Sequence, residues 1–333
     1  MYFCIVNATV PDFFTINSPQ TFEKAALATF HYQAVHCPVY KSFIHYLGLR
    51  TENIHTLAQI PFLPVSFFKS HEVSDQTTAL PEMVFFSSGT TGQIQSRHPV
   101  ADLRWYEESF NRAFTQFYGA ASNLCILALL PSYLEREGSS LIYMVDALLA
   151  QSQCPESGYF LHNHDQLALV LQRLQQKGQK TLLIGVTYAL LDFIEQHSIQ
   201  FPELIVMETG GMKGKRREMV REELHQLLCS GFGVSKIHSE YGMTELLSQA
   251  YSKGEGIFYC PPWMQVLLRD TNDPLSPAAV GKTGGINIID LANYHSCSFI
   301  ATQDLGRCYA DGAFEVLGRF DHADIRGCNL LVQ

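Results

Sequence analysis

Residues Ser87-Ser88-Gly89-Thr90-Thr91-Gly92 join two glycines to four hydroxyl side chains. A backbone this permissive can turn several N–H and O–H groups toward one anion, which makes the run a candidate phosphate cradle. Taken alone it also reads as a polar turn. It is not a Walker A loop: no Gly-Lys-Ser/Thr closes it, and the one Gly-Lys-Thr, Gly281 to Thr283, has Ser276 where that loop needs its first glycine. A second run, Tyr241-Gly242-Met243-Thr244-Glu245, places an aromatic ring, a hydroxyl and a carboxylate within five residues. Those groups suit base stacking, a phosphate contact and a magnesium ligand. The same residues also suit a helix start, with Thr244 capping and Glu245 complementing the dipole.

These runs need elements to hold them. Ser18 as N-cap and Pro19 at the first helical position open a helix through TFEKAALATFHYQAVH. The Pro-punctuated stretch Ile60 to Val73 is expected to be a loop against the core. Met83 to Phe86 reads as a short strand before the hydroxyl-rich run, and a helix follows Asp102. Leu167, Val170, Leu171 and Leu174 recur at helical spacing, and Thr181 to Val186 reads as a buried strand. A helix over Tyr188 to Gln196 and a strand over Leu204 to Met207 follow. Then Val220, Leu224, Leu227 and Leu228 mark a helix before a strand at Lys236 to Ser239.

This alternation predicts an α/β fold with a parallel sheet covered by helices. Ligands of open α/β sheets bind beyond the carboxyl ends of strands. Glu208-Thr209-Gly210-Gly211 and Tyr241 to Glu245 both follow strands, so they should converge on one crevice. The apolar part of a ligand bound there should run from the Tyr241 loop toward the apolar helix Leu141 to Ala150 and the loop Pro131 to Glu135. From Gly254 onward the texture turns to Gly, Pro, aromatics and short β-like runs. We expect an α/β region over about 80–253 and a small β-rich part over about 254–320, packed as one body, with 321–333 as a tail.

Hydrophobic residues make up 47% of the 333 and charged residues 17%, which excludes general disorder. The net charge is −9 and the pI about 5.8, against broad attraction to nucleic acid or anionic membranes. The purest apolar run, Leu124 to Leu130, is far too short to span a bilayer, and the N-terminus lacks a basic leader region. A soluble cytoplasmic protein is expected. The nine scattered cysteines form no CxxC pair, as expected of reduced thiols.

In order, SSGTTG, ETGG, YGMTE, TQDLGR and GRFD resemble the core motifs of the adenylate-forming acyl ligase superfamily, from Ser87 to Asp321. IPFLPVSFFKSHEV and the ending DIRGCNLLV are similar, more narrowly, to the acyl-protein synthetases of bacterial bioluminescence, the LuxE family. The resemblance implies the superfamily's large domain and attack of a carboxylate on the α-phosphorus of ATP, with magnesium. It further implies that Ser87, Ser88, Thr90 and Thr91, with Gly89 and Gly92 between them, hold the β- and γ-phosphates. By the same match Gly210 and Gly211 lie along the adenine, Tyr241 stacks on it beside Gly242, and Thr244 contacts phosphate. Glu245 binds magnesium, Asp304 holds the ribose hydroxyls and Arg319 approaches ribose or phosphate.

Two departures qualify that match. Gln95 stands where most such ligases carry a lysine, with Arg97 and His98 near enough to relocate the charge. The chain also runs only twelve residues beyond Asp321, where the superfamily's mobile C-terminal domain would begin, so that domain is expected to be absent. LuxE-like proteins pass the acyl group to a cysteine of their own and then to a reductase, a LuxC-like partner. Cys328 in Arg326-Gly327-Cys328-Asn329 matches that position. The implied activity is ATP-dependent activation of a fatty or related acid and its transfer to Cys328 as a thioester. The alternatives are an adenylate-forming ligase that acylates a separate carrier thiol, and an idle nucleotide-binding subunit.

Overall fold

The computed structural model describes residues 11–75, 80–88, 94–131, 138–210, 219–279 and 281–320. Its first part comprises α1 (Pro19–His36), α2 (Pro38–Tyr46), β1 (Leu63–Pro64) and α3 (Phe67–Ser70). The Ser18 hydroxyl accepts from the Thr21 N–H while the Thr21 hydroxyl accepts from the Ser18 N–H, so α1 begins on a reciprocal cap with Pro19 at its first position. The stretch from Ile60 to Val73 is more than a loop. Leu63 and Pro64 pair in parallel with Ile300 and Ala301, and Phe67–Ser70 forms one helical turn that buries Phe68. The prolines obscure this in sequence, yet one at a two-residue edge strand costs little.

Next come β2 (Met83–Phe86), β3 (Arg97–Val100), α4 (Leu103–Tyr118), β4 (Cys125–Leu129), α5 (Ser140–Gln151) and β5 (Gly158–Tyr159). The α/β alternation continues with α6 (His164–Gln176), β6 (Thr181–Gly185), α7 (Thr187–Gln196), β7 (Ile205–Glu208), α8 (Arg221–Phe232) and β8 (His238–Tyr241). All-strand sequence then supplies β9 (Ala250–Ser252), β10 (Ile257–Tyr259), β11 (Met264–Arg269), β12 (Gly284–Asp290), β13 (Phe299–Cys308) and β14 (Phe314–Arg319). β4 and β6 are buried at every residue, as strands covered by helices on both faces must be.

Twelve strands form one sheet, in the order β11-β12-β13-β14-β10-β9-β8-β7-β6-β4-β5, with β1 beside β13. β4 to β8 pair in parallel, and β8 is the turning point, parallel to β7 and antiparallel to β9. The β-rich part is thus a continuation of the α/β sheet. The hydrophobic pattern ends the eighth strand at Ser239, but pairing with β9 through Glu240↔Tyr251 and Tyr241↔Ala250 carries it to Tyr241. For the same kind of reason Glu208 lies within β7, paired with Gly185 and Ser239. β2 and β3 form a separate antiparallel hairpin, and Ser87, the first residue of the hydroxyl-rich run, directly follows β2.

Candidate functional site

β8, β13 and β14 bring three of the sequence-predicted residues together. The Tyr241 hydroxyl donates to Asp304 Oδ2 at 2.8 Å, and Arg319 Nε donates to Asp304 Oδ1 at 3.2 Å. The Asp304↔Arg319 strand register fixes the second contact. Phe258 and Phe314 pack their rings against Tyr241. Desolvation, with Asp304 adding negative charge alongside, pushes the Tyr241 phenol well above its usual range, so it remains a donor at any working pH. The guanidinium of Arg319 is largely open to solvent and free to meet an anion.

Thr244 and Glu245 do not start a helix: Met243 to Leu246 form a turn closed by Leu246 N–H to Met243 O at 3.0 Å. Three residues from elsewhere fix that turn. Buried His98 on β3 donates from Nδ1 to the Thr244 carbonyl at 2.8 Å, and its Nε2 accepts from the Ser296 hydroxyl at 3.0 Å. Asn293 Nδ2 donates to the Glu245 carbonyl at 2.8 Å. Asp290, fully buried at the end of β12, accepts from the N–H groups of Leu247, Ser248 and Ala292. Removing Asp290 would leave three buried donors unpaired, at about 1 kcal/mol or more each. Asp290→Ala should therefore lower the unfolding free energy in urea by about 3 kcal/mol or more, and Asp290→Asn by less; a midpoint unchanged in Asp290→Ala would contradict this account.

His98 is not the relocated cation. Burial pushes its pKa down to about 4, so it is neutral and acts as a strut between the β2–β3 hairpin and the Thr244 turn. The positive charges acting on Glu245 come from Lys69 and Arg319. Glu245 itself is 6% exposed, and burial pushes its carboxyl upward despite a hydrogen bond from Ser96. A buried carboxylate, one residue from a threonine hydroxyl in sequence, fits a hard divalent cation. Among the described residues no cluster of three or more His, Cys, Asp or Glu side chains could hold a metal alone. A magnesium ion whose remaining ligands come from substrate phosphates suits such a single-carboxylate site.

Ser87 sits at the base of its hairpin. Its N–H donates to Ser96 O, its hydroxyl accepts from Ser96 N–H at 2.8 Å, and its carbonyl accepts from Gln95 Nε2 at 2.8 Å. Gln95 thus serves the loop's backbone, and Ser88 is exposed beside it. Gly89, Thr90, Thr91, Gly92, Gly211 and Cys328 lie outside the described residues. Gly210 has a φ of +71°, which favours glycine, and donates its N–H to Glu208 Oε2 at 2.6 Å. Gly242 is exposed directly after β8.

Two carboxylates to which the motifs assigned no role also lie on the central strands, Glu208 on β7 and Glu240 on β8. For buried Glu208, desolvation is outweighed by His225, Ser239, Arg221 and the Gly210 N–H, which hold it below the usual range. Glu240 is pushed up to about 8 by burial and by the charge of Glu208. The tyrosines facing Glu240, namely Tyr106, Tyr118 and Tyr251, are pushed up and stay neutral. The raised value sets a sign: protonated Glu240 contributes fully to stability below about pH 4.5, and that contribution is lost as pH rises toward 8. Between pH 5 and 8 the wild type should lose up to about 1.4 kcal/mol per pH unit relative to Glu240→Gln. Denaturation of both proteins across that range checks this, and parallel curves would refute it.

Among the described residues no helix is long and apolar enough to cross a membrane, and the seven described cysteines are free thiols. A family model described as acyl-protein synthetase, LuxE, matches residues 14–333. A long-chain-fatty-acid–luciferin-component ligase of Aliivibrio fischeri is 23% identical over 307 residues, 84% of this chain and 79% of that protein. Among solved structures, 2-hydroxyisobutyryl-CoA ligase in complex with 2-HIB-AMP and CoA aligns with a TM-score of 0.67 at 14% identity. That alignment covers 92% of this chain and 69% of the other. ATP-bound MatB from Rhodopseudomonas palustris aligns at 0.54 and 15% identity, over 74% of this chain and 50% of the other. These two likenesses establish a shared fold.

Proposed function

The chain belongs to the acyl-protein synthetase (LuxE) family, and from that premise we propose that it couples ATP to acylation of a protein thiol through an acyl adenylate. The observation that carries this reading is the meeting of Tyr241, Asp304 and Arg319 on adjoining strands, with the Arg319 charge also acting on the buried Glu245. In the first step a carboxylate oxygen of the acid bonds to the α-phosphorus of ATP, and the bond to the β-phosphate oxygen breaks to release pyrophosphate. In the second, a thiolate bonds to the acyl carbon and AMP leaves with the electron pair.

Two anions must meet in the first step, so positioning and charge stabilisation carry most of its rate. Asp304 holds the ribose hydroxyls through oxygen lone pairs not used by Tyr241 and Arg319. The Arg319 guanidinium faces the phosphates, and Ser87, Ser88, Thr90 and Thr91 hold their outer oxygens with backbone N–H and hydroxyl groups. Tyr241, braced by two phenylalanines, presents its ring to the adenine, with Gly210 and Gly211 along the other side. Thr244 contacts phosphate, and Glu245 would hold magnesium, which supplies charge neutralisation when bound. Cys328 takes the acyl group and passes it to a reductase of the LuxC kind.

The test is exchange of labelled pyrophosphate into ATP over a panel of carboxylic acids, because it reads adenylation apart from transfer. Exchange that depends on the acid is expected. None with any acid would favour the idle-subunit reading.

A further inference from the structure

Side chains alternate across a strand, so Glu240 and Tyr241 face opposite sides of β8. Tyr241 serves the nucleotide side with Asp304. Glu240 shares the other face with its cross-strand partner Tyr251. α4 and α5 cover that face: the Tyr251 hydroxyl lies 4.0 Å from Met144 Sδ, and its ring packs on Phe117 and Tyr118. A role for Glu240 toward the acid takes the nucleotide on the Tyr241 side and the acid reaching Gly242 from this one, and so rests on the adenylation reading.

Glu240 does not point away from that approach. A Cβ built on Gly242 would lie 2.4 Å from Glu240 Oε1 and 3.3 Å from Gln249 Cγ, so both side chains fold against the same exposed glycine. Glu240 is half-buried, and among the described residues no hydrogen bond is found on its carboxyl. Gln249 is 4% exposed, and its Oε1 is buried without a partner. Leaving such an acceptor unpaired costs free energy, and so does burying a carboxyl. A plain apolar channel would be served better by leucine and methionine at these two positions.

We propose that Glu240 and Gln249 recognise a hydroxyl group carried on the chain of the acid that the enzyme activates. A hydroxyl both donates and accepts. Its O–H donates to Gln249 Oε1, and its oxygen accepts from the protonated Glu240 carboxyl. The raised Glu240 pKa agrees, since the group is then protonated at neutral pH and has a proton to give. An ammonium group on the acid would instead call for an ionised carboxylate.

The experiment measures kcat/KM for acid-dependent pyrophosphate exchange over a panel of hydroxy acids that differ in hydroxyl position. Each is matched with its unsubstituted parent and its amino counterpart. At least one hydroxy acid should exceed its parent about tenfold, the scale of one well-placed buried hydrogen bond. In Glu240→Leu that ratio should fall to about one, and Glu240→Gln, which still donates and accepts, should keep most of it. Gln249→Leu should reduce the ratio too and stands in if Glu240→Leu does not fold. Exchange with parent acids and no gain from any hydroxyl would overturn this inference alone, as would preference for an amino acid or a ratio indifferent to both positions. Absence of exchange with every acid would overturn the adenylation reading first.

Discussion

Glu245→Gln should lower acid-dependent pyrophosphate exchange by roughly 100-fold or more while leaving the protein folded, the scale of losing one charge-stabilising group in a dry site. The backbone of that turn is held independently, by Asn293 on the Glu245 carbonyl, His98 on the Thr244 carbonyl and Asp290 on the following N–H groups. None of these contacts uses the Glu245 carboxyl, so an isosteric amide should not release them. Burial raises the Glu245 pKa, which means that the ionised carboxylate costs stability in the folded chain. Glu245→Gln removes that cost, and its Tm should equal or exceed that of the wild type. Loss of activity without loss of Tm separates a charge in use from a charge that holds the fold. Exchange close to the wild-type rate would sink the assigned role.

How much of this site could be read beforehand depended on how far each residue's partner lies along the chain. Fully buried strands such as Thr181–Gly185 and the amphipathic helices between them show in the periodicity of one segment, so the α/β order was legible. The end of β8 was not, because pairing with β9 extends it beyond the apolar residues. That difference of two residues hid Glu240, whose side of the sheet follows from strand alternation once the strand is known to continue. His98 stood out only as a possible cation near Gln95, and Asp290 gave no local signal. Their partners, Thr244 and Leu247, are 146 and 43 positions away, and a lone buried histidine or aspartate has no pattern. Lys69 was masked by a proline-rich stretch that reads as a loop. Asp304 and Tyr241, 63 residues apart, were linked beforehand only by resemblance to a family's motifs.

Cys328→Ser should abolish hydroxylamine-labile labelling of the protein by radiolabelled acid and ATP. Pyrophosphate exchange, which is complete before any thiol is needed, should continue. The motif Arg326-Gly327-Cys328-Asn329 motivates this, and the seven described cysteines weigh on the same side. A thiolate is the nucleophile, and burial in apolar surroundings disfavours it. Burial pushes Cys37 and Cys308 up to about 11 and Cys125 up to about 12, and it also raises Cys229, Cys260 and Cys297. Cys154 points its sulfur at the Glu156 carboxylate, 3.4 Å away, on the far side of β4 from the crevice strands β7 and β8. A positive neighbour such as Arg326 lowers a thiol pKa instead, provided that it lies close. Cys154→Ser should accordingly label like the wild type. Full labelling of Cys328→Ser would move the acceptor to another thiol, and labelling lost from Cys154→Ser alone would place it there.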